Sequence, residues 1–189
     1  MKSDPVNVQH RPFMTPVWLF GTAGFLAVAV AMFAVWMWAT ANATTVIVIR
    51  HAEKEAGNLV DPQLSAAGEA RAALLERMFG EAKGPGRLDA IYTSPALRNR
   101  LTIAPLAAQL RLVPIVAPAD DANGLARRVL REHSGGRVMI VGHVNTVPKI
   151  VSELSGQSDI PSIDEGDYGV MYVVTVPRIG RANLLRMNY

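Results

Sequence analysis

The chain has 189 residues, half of them hydrophobic and 6% aromatic, with 19 Lys and Arg against 16 Asp and Glu. That length holds one domain of ordinary size, and the apolar fraction excludes global disorder. There is no Cys, which excludes disulfides, thiolate zinc sites, iron–sulfur clusters and a Cys nucleophile, and the scattered net charge of +3 is a poor match to nucleic acid.

The first element is of a different material from the rest. Val17 to Ala39 carries no charge in 23 residues. As a helix it spans roughly 34 Å, enough for the hydrocarbon core of a bilayer. Trp18 stands near one end and Trp36 and Trp38 near the other, where indoles settle at membrane interfaces. Lys2 and Arg11 precede it, with only Asp4 against them. Residues 1–16 are therefore expected to stay cytoplasmic, and the chain beyond to be translocated. Residues 17–39 read as a transmembrane signal anchor or a cleaved signal peptide. Ala39-Thr40-Ala41 and Ala41-Asn42-Ala43 both offer small-x-small cleavage sites. Residues 40–44 are a linker and 45–189 one catalytic-sized domain. A bacterial inner-membrane protein with a periplasmic domain, or a periplasmic protein if cleaved, is the expected setting.

The domain alternates strand and helix. Thr45 to Ile49 is a continuous β-branched run, as in a strand buried on both faces. Ser65 to Phe79 is helical, with Ala70, Ala73, Leu74 and Met78 expected on its apolar stripe. Ala90 to Tyr92 is a short strand. Ser94-Pro95 then opens a helix, Ser as N-cap and Pro as N1, and Pro105 should kink or restart it. Leu112 to Val116 is a strand, with Pro114 suggesting an edge. Asn123 to His133 is helical, Arg137 to Val141 a buried strand and Val147 to Leu154 a short helix. Gly169 to Val176 and Ala182 to Met187 form a terminal antiparallel pair. This order predicts a three-layer α/β/α sandwich with a mixed, mostly parallel sheet, preceded by one N-terminal transmembrane helix.

Ligands of such folds bind at the carboxyl ends of the strands. Three strand ends carry Arg50-His51, Ser94 with Arg98 one turn on, and Gly142-His143. Arginine forks match phosphate oxygens. A neutral imidazole is a competent nucleophile near pH 7, and a second, protonated His could stabilise charge on transferring phosphoryl oxygens. These parts make a phosphoryl-transfer pocket that needs no metal or cofactor. No glycine-rich phosphate loop is present.

Four stretches carry a family likeness: Val48-Ile49-Arg50-His51-Ala52-Glu53-Lys54; Leu64-Ser65 with Gly68; Ile91 to Arg98 with Thr102; and Val141-Gly142-His143 with Asn145-Thr146-Val147-Pro148. In this order they resemble the histidine phosphatase superfamily, the clan that includes cofactor-dependent phosphoglycerate mutase. The resemblance implies that His51 is phosphorylated and then hydrolysed by water. It implies that Arg50, Arg98 and His143 bind the phosphoryl group and its transition state, with Asn145 also reaching the pocket. Asn99, Ile103 and Val144 depart from the family's usual Ala, Ala and Ser. No His-Asp dipeptide of the acid-phosphatase branch is present. The proton donor stays open among Glu53, Asp120 and Asp121, and Glu53 reads equally well as the partner of an arginine. The resemblance thus implies a metal-independent phosphomonoesterase. Its substrate would be a phosphorylated small molecule or glycolipid, such as a cell-envelope sugar, and its membrane contact the N-terminal helix. A non-catalytic phospholigand-binding module on the same fold is the alternative. A metal hydrolase built on His51, Glu53 and His143 has poor ligand spacing.

Overall fold

The computed structural model describes residues 17–57 and 60–189. The chain divides into two compact units, with the boundary after Met37. Helix α1 (Val17–Ala41), up to Met37, makes up the described part of the first. Phe25, Leu26, Met32, Phe33 and Trp36 all stand exposed on it. It is long and apolar enough to cross a membrane or to act as a signal sequence. Lys2, Asp4 and Arg11, on which the expected orientation rests, lie outside the described residues.

The second unit contains a six-stranded sheet, made of β1 (Thr44–Arg50), β2 (Ala90–Thr93), β3 (Ile115–Val116), β4 (Arg137–Gly142), β5 (Val170–Val176) and β6 (Asn183–Asn188). Their spatial order is β3-β2-β4-β1-β5-β6. The β3, β2, β4 and β1 strands run parallel, and β5 and β6 join antiparallel. The helices are α2 (Ala66–Phe79), α3 (Leu97–Leu110), α4 (Ala122–Glu132) and α5 (Val147–Ser155).

Alternation along the strands sorts the core into two layers. Ile47, Ile49, Ile91, Met139 and Val141 pack with Leu75 of α2 and with Ile103 and Leu106 of α3. Val46, Val48, Tyr92, Val138 and Ile140 pack on the other face with Leu125 and Val129 of α4 and Ile150 and Leu154 of α5. The three-layer sandwich with a mixed, mostly parallel sheet is therefore the observed architecture. The β-branched run of β1 is buried because it is central and covered on both sides.

Three local expectations are corrected, and of the kink or restart expected at Pro105 the restart is absent. The buried stripe of α2 is Gly68, Ala72 and Leu75, while Ala70 and Met78 are exposed. The cause is Gly68, which turns inward against the loop after β1. Helix α3 begins at Leu97 with no side-chain cap from its own N-cap residue. Asp61 supplies the cap from a distant loop, accepting from Leu97 N–H at 2.9 and 3.1 Å. Pro105 neither ends nor restarts α3, which runs through it. Burial of Ile103, Leu106, Ala107 and Leu110 along that helix outweighs the ~3 kcal/mol that an interior proline costs. The third strand shrinks to Ile115–Val116, because Val113 is exposed and Pro114 has no N–H to donate; it lies at the sheet edge as expected.

Gly68 makes a first prediction. A Cβ there would sit 2.1 Å from the Glu53 carbonyl oxygen. Gly68→Ala gains helix propensity of about 1 kcal/mol but must displace the backbone two residues after His51. The clash wins, so the variant should lose about 1–3 kcal/mol of stability in a denaturant titration. A more stable variant would contradict the packing described.

Candidate active site

Parallel pairing brings the site together. In the register of β1 with β4, Arg50 faces Gly142, so His51 and His143 emerge side by side. His51 N–H donates to Gly142 O at 3.0 Å, and the two imidazole centroids are 5.5 Å apart. On the other side of β4, Thr93 pairs with Val141, which sets Ser94 beside His143. Ser94 Oγ is 3.0 Å from His143 Nε2. Helix α3 contributes Arg98, whose Nη2 lies 3.3 Å from His143 Nδ1. The residue pair that sequence reading took for a cap therefore belongs, through Ser94, to the site.

His51 is 4% exposed. Its Nδ1 lies 2.8 Å from the Ala52 carbonyl oxygen. A carbonyl only accepts, so Nδ1 carries the proton and Nε2 keeps its lone pair. Burial pushes the His51 pKa down to about 4, with Arg98, Arg50 and His143 adding to the fall and the bond to Ala52 opposing it. The ring is neutral at pH 7, as a nucleophile must be. Burial also lowers the pKa of His143, followed by Arg98 and Arg50. Arg98 donates to His143 Nδ1, so the proton on Nε2 points to Ser94. The second histidine, expected from sequence to act protonated, is thus neutral here, because burial disfavours the charged ring and the two guanidiniums repel an added proton. A phosphoryl dianion between them would reverse that sign.

Arg50 is also 4% exposed. Its Nη1 donates to the carbonyl oxygens of Asp164, Glu165 and Asp167 at 3.0, 2.6 and 3.3 Å. The Tyr168 ring stacks on the guanidinium, 4.1 Å from Cζ to centroid, and lies 5.9 Å from the His51 ring. Arg50 Nε is buried without a partner. Arg98 is held by Asp61, 3.8 Å from Nη1. Thr102 Oγ1 accepts from Ala52 N–H at 2.9 Å and donates to Arg98 O at 2.7 Å, tying the loop after β1 to α3. Asn99 Nδ2 donates to Val141 O and Gly142 O, at 3.0 and 3.2 Å. That position, a departure from the family pattern, fastens α3 to the end of β4.

The cavity above these groups measures about 720 Å³. Arg50, His51, Arg98, His143, Asn145 and Asp120 line it. Asp121 does not: its Oδ1 caps α4, accepting from Gly124 N–H at 2.8 Å. Glu53 does not line it either. Arg71 Nε donates to both its oxygens, at 3.0 and 2.9 Å, and Nη2 lies 2.6 Å from Oε1. Those bonds hold the Glu53 carboxyl below the usual carboxylate range, so it has no proton to give at neutral pH. Among the described residues no cluster of three or more His, Asp or Glu is placed to hold a metal.

Sequence reading missed Tyr168, Glu165, Ser94 as a His143 partner and Asp61 as the brace of Arg98. Tyr168 and Glu165 stand in an irregular stretch more than a hundred residues after β1, with no motif around them. Asp61-Pro62 reads locally as a turn.

The arrangement defines a class: an α/β sandwich with paired histidines and arginines at the strand ends. Residues 46–120 match the model of the histidine phosphatase superfamily (branch 1). The chain thus resembles that superfamily in both sequence and fold. The protein histidine phosphatase SixA complexed with tungstate matches at TM-score 0.62 and 18% identity, covering 76% of this chain and 96% of its own. A mycobacterial glucosyl-3-phosphoglycerate phosphatase matches at TM-score 0.60 and 14% identity, over 77% and 99%. Phosphoserine phosphatase from Entamoeba histolytica, in complex with phosphoserine, matches at TM-score 0.58 and 16% identity, over 77% and 96%. No curated protein matches the chain.

The depressed pKa of His51 gives a second prediction. Nucleophilic attack needs the neutral ring. The acid limb of kcat/KM, which reports the free enzyme, should therefore fall near pH 4 rather than 6.5. A limb at 6.5 in a pH–rate profile would show that burial does not suppress the charge.

Proposed function

We propose that the protein is a phosphomonoesterase working through a phosphohistidine on His51. The family match and the fold support a phosphatase. The observation that carries the mechanism is the Nδ1 bond of His51 to the Ala52 carbonyl, which leaves Nε2 neutral and unprotonated beside two arginines. In the first step Nε2 attacks phosphorus and the ester P–O bond breaks. Arg98 and the Nε side of Arg50 neutralise the equatorial oxygens, with His143 beside them. Asp120 gives its proton to the departing alkoxide, since of the three candidate acids it alone lines the cavity. In the second step water attacks the phosphohistidine, the P–N bond breaks, and Asp120 takes the water's proton. Asn145 lines the same cavity and binds the substrate. No step calls for a metal or cofactor.

We read helix α1 as a signal anchor or signal peptide. It would leave residues 1–16 in the cytoplasm and residues 45–189 outside it, in the periplasm of a bacterium. A phosphorylated envelope sugar or glycolipid is then within reach of the domain. The named neighbours act on phosphorylated compounds of several kinds, which supports a phosphorylated small molecule as substrate. The second reading, a binding module without turnover, would follow if Asp120 cannot deliver a proton.

The test is hydrolysis of p-nitrophenyl phosphate by the full chain in detergent micelles, with excess chelator. Chelator-resistant turnover with a trapped phosphoenzyme is expected. Tight phosphate binding by folded protein with no turnover would favour the binding module.

A further inference from the structure

We propose that Lys54 and Lys149 form a second anion subsite in the same cavity, so that the alcohol released from the ester carries an acidic group of its own. The inference rests on the phosphatase reading and extends it to the leaving group. Lys54 follows β1, and its strand-like bridge to Leu64, with Glu55 N–H donating to Gln63 O at 3.0 Å, fixes its backbone. Lys149 stands in the first turn of α5, after β4. Because β1 and β4 are neighbours, the two lysines reach the cavity from the same strand ends that carry His51 and His143. Neither ammonium has an ion pair or hydrogen bond with any described residue, whereas Arg71, Arg98, Arg128 and Arg186 are paired.

The cavity is large enough for a whole metabolite, since such pockets run about 300–1,000 Å³. Its lining carries four cations, Arg50, Lys54, Arg98 and Lys149, and two carboxylates, Asp120 and Glu165. Neither carboxylate lies within ion-pair distance of either lysine, so with the arginines turned to a phosphoryl dianion the two ammoniums are left without an anionic partner. The two lysines have no part in cradling the phosphoryl group, which the arginines and histidines surround. A carboxylate or second phosphate on the leaving group would meet them.

The experiment compares 6-phosphogluconate with sorbitol 6-phosphate on the full chain in micelles. The two esters share the open carbon chain and the phosphorylated carbon, and differ in a carboxylate against a hydroxymethyl group. Hydrolysis is measured with the wild type, and binding by calorimetry with His51→Ala. A ratio of about tenfold or more in favour of 6-phosphogluconate is expected in both, equivalent to about 1.4 kcal/mol. It should shrink towards one in Lys54→Ala/Lys149→Ala, and in the wild type as salt is raised. Equal handling of the two esters, or a preference that survives the double substitution, overturns the subsite. A binding preference that depends on the lysines, with no hydrolysis of either ester, supports the subsite and overturns the phosphatase reading instead.

Discussion

His51→Ala should lower phosphate-ester hydrolysis by at least about 10³-fold, the scale of removing a covalent nucleophile. The reason is local. Nε2 is the lone pair left free when Nδ1 donates to Ala52 O. His143 has Nδ1 facing Arg98 and Nε2 facing Ser94, so it cannot substitute. Circular dichroism should show the variant folded, because the Gly142 bond to residue 51 is made by backbone. Added imidazole should restore part of the rate by occupying the vacated volume. Activity within tenfold of wild type in the folded variant would remove the phosphohistidine mechanism.

Arg50→Ala should have two separable effects. Kinetically it removes one donor fork from the transferring oxygens, for a loss of about 10²–10³ in kcat/KM. Structurally it deprives three carbonyl oxygens, of Asp164, Glu165 and Asp167, of their shared donor and takes away the surface under Tyr168. Hydrogen bonds to a charged group are worth about 1.5–3 kcal/mol, so a loss of about 2 kcal/mol is expected in thermal unfolding. Arg50→Lys keeps the charge but lacks the planar fork. It should recover little of either quantity. If Arg50→Ala leaves stability unchanged, the 164–168 segment is held by its own contacts and Arg50 serves substrate alone.

The Glu53–Arg71 pair shows how far residue types inform and where they stop. Glu53 follows His51 by two positions, which makes proton donor and ion-pair partner equal readings from sequence. Arg71 lies a turn into α2, 18 positions away, and its alignment on Glu53 follows from Gly68 pressing on the Glu53 carbonyl. Asp120 and Asp121 are a similar case. One residue decides whether a carboxylate faces the cavity or caps α4. Pro105 sits inside an unbroken α3 because burial along the other face of the helix outweighs its local cost.

The alternation of strands with helices, the β-branched runs and the apolar 23-residue segment at 17–39 come from local periodicity, and the sequence alone was enough to establish them. Arg50, His51 and His143 are placed near one another by strand ends recognisable from their own residues, since parallel sheets align such ends, and Arg98 by its position one turn after β2. What only tertiary structure decided are the contacts between segments far apart in the chain: Arg50 with the 164–168 backbone, Asp61 with Leu97 and Arg98, Asn99 with β4, and Tyr168 over the guanidinium. Those depend on how loops close across the top of the sheet. Loop closure is governed by packing and unmet hydrogen bonds over more than a hundred residues, which no local pattern encodes.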